Sequence, residues 1–236
     1  MESWIRGPRA FALAGVLATV IAAVLVGVSV MSGSDESSAP APTTVLDSTE
    51  TTQLLQGIPQ QGNALGRAGA PVTLVNYSDL QCPFCAEWSR RAFPDLVREY
   101  VRTGKVRVEF RGLAFLGPES DTGLRAALAA GEQGKLWHVV DLLFRNQGPE
   151  NSGWLTDDTL RQVGASVDGL DVQQMLERRP AMTPKMQEAQ AAATASGING
   201  TPSFEVGPTG GRLQRVQITS LDAEGLRPAI ESLLAR

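Results

Sequence analysis

The stretch Val72-Thr73-Leu74-Val75-Asn76-Tyr77-Ser78-Asp79-Leu80-Gln81-Cys82-Pro83-Phe84-Cys85 decides how this chain is read. Its first half is an apolar run of strand character. Its second half holds both cysteines of the protein, two residues apart. Helix-like sequence follows, Ala86-Glu87-Trp88-Ser89-Arg90-Arg91-Ala92-Phe93. A dithiol at a helix N-terminus faces free amide N–H groups and the positive end of the helix dipole. In such motifs the thiol pKa falls to roughly 3.5–7.5. Pro83 fits at the first helical position, where its missing N–H costs nothing. Cys82 is then expected as the exposed nucleophile and Cys85, one turn further in, as the resolving thiol.

Two other uses of a CxxC pair compete. A structural zinc site wants four ligands, whereas no further cysteine exists and the only histidine is His138. An inert disulfide here would close so short a loop that it gains little entropy. Reversible redox chemistry fits the pair better than either.

Phe11 to Met31 contains no charged residue, and a transmembrane helix needs about 20 such residues. Arg6 and Arg9 precede it, while Asp35 and Glu36 follow. The positive-inside rule leaves residues 1–10 cytoplasmic and exports the rest. Ala39-Pro40-Ala41 imitates a signal-peptidase site, but Pro42 follows it, and a cleaved signal has a shorter apolar region, roughly 7–15 residues. A retained anchor over 11–31 is the preferred reading, which makes this a single-pass protein of the cell membrane with an extracytoplasmic domain. There, disulfides persist.

Residues 32–53 are rich in Ser, Thr, Pro, Ala and Asp and read as a flexible linker. One globular domain is expected over 54–236. The chain of 236 residues is 42% hydrophobic and carries a net charge of −4. It has no basic block, which argues against a nucleic-acid partner.

Within the domain, period-2 patterning predicts strands at 72–77 and 105–111, the second with Val106, Val108 and Phe110 on one face. A helix from Cys82 to about Thr103 joins them, stopped by Gly104. Helical patterns then fill the chain to Ser196, with Thr156 as the oxygen cap of one helix. Strand character returns at 203–206 and 213–218 around the turn Gly207-Pro208-Thr209-Gly210-Gly211. A last helix, shortened by Pro228, runs from Asp222 to about Ala235.

Three motifs in this order carry a resemblance: Ser78-Asp79-Leu80-Gln81-Cys82-Pro83-Phe84-Cys85; Gly134-Lys135-Leu136-Trp137 with Asp141-Leu142-Leu143-Phe144; and Gly197-Ile198-Asn199-Gly200-Thr201-Pro202-Ser203-Phe204. From about Ile58 to Ala235 the chain resembles the DsbA-like thiol:disulfide oxidoreductases of the thioredoxin superfamily, of the membrane-anchored bacterial type. The resemblance implies an α/β thioredoxin fold with a helical domain inserted after the second strand, about 112–196. It implies a cis Thr201–Pro202 bond that holds the Thr201 backbone beside Cys82, ready to pair with an extended substrate peptide. It also implies a quinone-linked membrane partner, of the DsbB or vitamin K epoxide reductase-like kind, that restores the disulfide.

Two positions depart from that family. Asn76 stands where many relatives carry a proton-shuttling glutamate, so the role falls open, with Asp79 as a candidate that also reads as a helix-entry cap. Val140 stands where a histidine is common, and His138 lies two positions earlier. Trp88, Trp137 and Trp154 are candidates for a substrate groove, with core packing preferred for Trp137. Glu109 and Arg111 share a strand face and are expected to pair.

The activity expected is a dithiol oxidase without a bound organic cofactor, acting on exported proteins that carry free thiols. Cys82 and Cys85 are its catalytic residues, Pro83, Phe84 and Asp79 tune the potential, and Thr201 and Pro202 meet the substrate. A reductase or isomerase of the same fold, and a non-catalytic holding factor with a passive disulfide, are the competing readings.

Overall fold

The structure, a computed structural model, describes residues 44–236. The apolar stretch 11–31 lies outside the described residues, and among those residues no helix is long and apolar enough to cross a membrane.

The chain opens with a short helix, α1 (Ser48–Leu55). A two-residue hairpin follows, β1 (Gln60–Gln61) and β2 (Ala64–Leu65). Then come β3 (Val72–Ser78), α2 (Pro83–Arg91), α3 (Phe93–Leu96) and β4 (Val106–Gly112). Five helical pieces separate β4 from the next strand. They are α4 (Pro118–Gly131), α5 (Leu136–Arg145), α6 (Asp157–Ala165), α7 (Val172–Arg178) with a 3₁₀ turn after it, and α8 (Thr183–Ala195). The chain closes with β5 (Ser203–Pro208), β6 (Gln214–Val216) and α9 (Arg227–Leu234). The six strands form one sheet in the order β1-β2-β4-β3-β5-β6. β3 pairs parallel with β4 and antiparallel with β5. This is the expected α/β thioredoxin fold with its helical insertion between the second and third long strands.

β3 is buried along its whole length because both sheet faces are covered. Val72 and Leu74 face the main core, while Val75 and Tyr77 face a smaller cluster with Leu113, Ala193 and Ile198. β4 alternates as its sequence implied, burying Val106, Val108 and Phe110. An aromatic relay binds sheet to helices: Trp88 lies 4.9 Å from Phe204, and Phe93 stacks on Trp137 at 5.0 Å. Trp88 and Trp137 are therefore core residues, not groove walls, each 1% exposed. On the opposite strand face Glu109 meets Arg111 at 3.6 Å, the pairing expected, and also Arg107 at 3.0 Å, which was not.

Two expectations need correction. The helix from Cys82 to Thr103 is broken after Arg91, and its last turn, Val97–Val101, is π-helical. Pro94 has no N–H to return to the Arg90 carbonyl, so the α-helical ladder cannot run through. The linker of 32–53 ends early, because Ser48–Leu55 is a helix that buries Thr51, Leu54 and Leu55. Its hold on the domain is polar as well as apolar, so its sequence lacks a clear hydrophobic period. Thr51 donates to the buried Asp141 at 2.5 Å. Leu46 N–H donates to the Asn146 side chain at 2.8 Å, and that side chain donates back to the Leu46 carbonyl at 3.2 Å.

Candidate active site

The loop Asp79-Leu80-Gln81 delivers Cys82 from the end of β3 to the start of α2. Cys82 is the N-cap, in extended conformation, and Pro83 occupies the first turn. The helix therefore starts with its amides pointing back at the first sulfur. Cys82 and Cys85 are both free thiols. Cys82 is only 5% exposed, less than an open nucleophile would be, and Cys85 is fully buried. The neighbouring Phe84 is an exposed large apolar side chain, at 60%.

Across from the thiols, Thr201–Pro202 is the one cis peptide among the described residues. Cys82 Sγ donates to the Thr201 carbonyl at 3.4 Å. Thus Cys82, Cys85, Pro83, Phe84, Thr201 and Pro202, singled out from the sequence, come together at one end of the sheet.

The two sulfurs differ in environment. The Cys85 thiol, the Thr201 hydroxyl and the backbone N–H groups of Cys85 and Phe84 all favour the Cys82 thiolate and, against the cost of burial, pull it down to about 6. Burial pushes the Cys85 thiol well above its ordinary value, and the neighbouring Cys82 adds to the shift. One site thus holds an easily ionised thiol and a protonated one. A pair split this way can do ordered exchange, with one sulfur attacking or leaving and the other waiting.

Asp79 is fully buried, and four donors engage its carboxylate. Gln81 N–H (2.9 Å) and the Ser120 hydroxyl (2.6 Å) meet one oxygen. Phe115 N–H (2.7 Å) and Leu116 N–H (3.0 Å) meet the other. It anchors the approach to Cys82 against the segment that leads into α4. Asn76 is buried and accepts from Ser78 at 2.5 Å.

His138 binds Gln60 at 3.0 Å rather than a sulfur. Burial, with Lys135 beside it, pulls it down to about 4, so it is neutral at physiological pH. Among the described residues no group of three His, Cys, Asp or Glu side chains is placed to hold a metal ion.

Sequence reasoning missed the amides that fasten the loop. Gln81 donates to the Leu116 carbonyl, Ser120 Oγ and Asn151 Oδ1, and accepts from Asn151 N–H at 2.9 Å. Gln147 donates to the carbonyls of Leu80 and Cys82. Nothing in a glutamine's local sequence marks it as buried or bridging.

A family model described as Thioredoxin matches residues 60–231 of the 236. The probable disulfide bond formation protein D of Bacillus cereus is 31% identical over 148 residues, covering 61% of this chain and 68% of that protein. Its counterpart from Bacillus anthracis is 27% identical over 178 residues, covering 73% and 78%. The oxidised BdbD structure from Bacillus subtilis superposes with a TM-score of 0.65 at 21% identity, covering 76% of this chain and 98% of that one. With its two unequal thiols set against a cis-proline loop, the chain belongs to the thioredoxin family and is a DsbA-like protein disulfide oxidoreductase.

Proposed function

We propose that the Cys82-Pro83-Phe84-Cys85 motif introduces disulfides into extracytoplasmic proteins, on a domain tethered to the membrane by Phe11–Met31. The observation that carries this reading is the split between the two thiols, Cys82 down to about 6 and Cys85 well above its ordinary value.

The cycle starts from a Cys82–Cys85 disulfide. A substrate thiolate attacks Cys82 Sγ, the bond to Cys85 breaks, and the Cys85 sulfur leaves with the electron pair and takes up a proton. Cys85 then stays protonated in its apolar setting, so it is slow to attack back. A second substrate thiolate attacks the substrate sulfur of the mixed disulfide and expels the Cys82 thiolate. That thiolate is a good leaving group because its pKa is low. The substrate has lost two electrons and the enzyme dithiol has gained them. A quinone-linked membrane reoxidase of the DsbB or vitamin K epoxide reductase-like kind removes them again. No bound organic cofactor is required in this scheme. Thr201, held by Pro202, offers its backbone to an extended substrate segment. Pro83, Phe84 and the Asp79 anchor set the potential.

Stabilising the Cys82 thiolate favours the reduced enzyme, which makes the disulfide form oxidising. A potential near the DsbA end, about −120 mV, is expected, and one near the thioredoxin end, about −270 mV, would turn the reading to a reductase. In the reduced protein, Cys82 should be alkylated with a midpoint near pH 6, far ahead of Cys85. Cys82→Ser should abolish dithiol exchange. Retained turnover in that variant would sink the assignment.

A further inference from the structure

We propose that Gln147 is a positioning residue for the Cys82 nucleophile, its amide fixing the backbone carbonyls on both sides of Gln81. The proposal rests on the reading of Cys82 as the sulfur through which exchange runs.

Gln147 lies two residues beyond α5, inside the helical insertion and 65 residues from Cys82 in sequence. Its Nε2 donates to the Leu80 carbonyl at 2.8 Å and to the Cys82 carbonyl at 3.1 Å. Both partners are acceptors only, so the amide has one orientation that satisfies them and both of its hydrogens are used.

The bridged segment has little other freedom. Cys82 N–H donates to the Asp79 carbonyl at 3.0 Å, and the Cys82 carbonyl also accepts from Ala86 N–H at 3.1 Å. Gln81, between the bridged carbonyls, sends its side chain the other way, to Ser120 and Asn151. The insertion therefore grips the loop from two sides, by Gln147 on the carbonyls and by Asn151 and Ser120 on the Gln81 side chain.

The anchor is itself held. Arg90, on the cysteine-bearing helix, donates to the Phe144 carbonyl at 2.8 Å. Asn146, next to Gln147, donates to the Leu142 carbonyl at 2.8 Å and bonds the Leu46 backbone in both directions. These contacts close a ring: from Cys82 along α2 to Arg90, across to the end of α5, and back through Gln147 to Cys82.

Such a ring matters because the donors around the sulfur are directional. The N–H groups of Phe84 and Cys85 serve the Cys82 thiolate only while the Cys82 backbone keeps its extended cap conformation. Hydrogen bonds weaken steeply as their angle closes. Without Gln147 the Cys82 carbonyl is left with Ala86 N–H as its donor, so the cap is held less tightly and the sulfur drifts off these amides. Cys82 has no side-chain cap bond of its own to resist this.

Gln147→Met, which keeps the volume and removes the donor, and Gln147→Ala test the proposal. The reduced proteins are titrated by thiolate ultraviolet absorbance and by the rate of Cys82 alkylation. Loss of about one hydrogen bond's worth of positioning should cut the thiolate-to-thiol ratio at pH 6 roughly three- to ten-fold, and the rate of Cys82 alkylation at that pH with it. At a pH above both midpoints Cys82 alkylation should return to about the parent rate, which a general loss of structure would not allow. Folded variants with the parent midpoint would overturn the role of Gln147. A Cys82→Ser protein run in parallel separates the two failures: if it still turns over, the nucleophile reading falls; if it is dead while Gln147→Met titrates like the parent, only the positioning role falls.

Discussion

Two buried aspartates organise two regions of this molecule, and they are satisfied very differently. Asp79, in the loop before the cysteines, receives four donors, three of them backbone or hydroxyl groups from the far side of the loop. Asp141, in α5, receives Thr51 at 2.5 Å and Arg145 Nε at 2.7 Å on one oxygen, while its other oxygen has no partner among the described residues. Arg145 spreads its remaining charge to Asp47 and Glu50 at 3.3 and 3.2 Å, on the solvent side. Burial pushes the Asp141 carboxyl up, against the pull of Arg145 and Thr51. A carboxylate met by several fixed dipoles holds geometry, whereas one met by a flexible cation and a hydroxyl holds a segment in place. The first pattern belongs to the redox loop and the second to the N-terminal helix.

The largest effect should come from breaking the first pattern. In Asp79→Asn one oxygen becomes an NH₂ group, which faces either the Phe115 and Leu116 amides or the Gln81 amide. Two buried donors then oppose each other, at a cost of about 3 kcal/mol. Urea denaturation should report that loss, and dithiol exchange should slow with it because Gln81 no longer enters the loop at a fixed angle. Asp141→Asn should cost less, about 2 kcal/mol, since Arg145 keeps its solvent-side carboxylates. Its signature should be faster protease cleavage within residues 44–56, with exchange unchanged. If Asp141→Asn slowed exchange as much as Asp79→Asn did, the division between the two regions would be false.

The same contrast explains what was legible in the sequence. The dithiol, its proline, the Thr201–Pro202 loop, the alternation of β4 and the Thr156 cap each depend on residues adjacent in the chain. Thr156 accepts from Thr159 N–H, three residues on, as its position announced. The parts that escaped are held across long separations by groups that are locally unremarkable. The β1–β2 hairpin is secured where Asn63 exchanges bonds with the Phe110 backbone, at 2.9 and 3.0 Å. The helix at Ser48–Leu55 depends on an aspartate 90 residues away. Asp79 was visible as a residue of interest, but its donors at 115, 116 and 120 belong to the insertion, and no local pattern names them. Pro94 was in plain view. One continuous helix was expected from Cys82 to about Thr103, and the missing amide of a single residue overrode it.

A matched pair of hydroxyl deletions sharpens the comparison at the smallest scale. Thr51→Val keeps the shape of the side chain and removes the donor from Asp141. Ser120→Ala removes one donor from Asp79 and one partner from Gln81. Thr51→Val deletes one buried hydrogen bond and Ser120→Ala two, but Gln81 keeps the Leu116 carbonyl and Asn151 as acceptors, so each should cost about 1 kcal/mol. Thr51→Val should cost slightly more of the two, because Asp141 is left with Arg145 alone while Asp79 keeps three N–H donors. Exchange should rank the other way. Ser120→Ala loosens Gln81, which sits directly before Cys82, so its alkylation profile should move, whereas Thr51→Val should titrate like the parent. Paired denaturation and alkylation curves on the two variants give both orders in one experiment. The same order in both measurements would mean that stability and thiol chemistry run through a single network, not two.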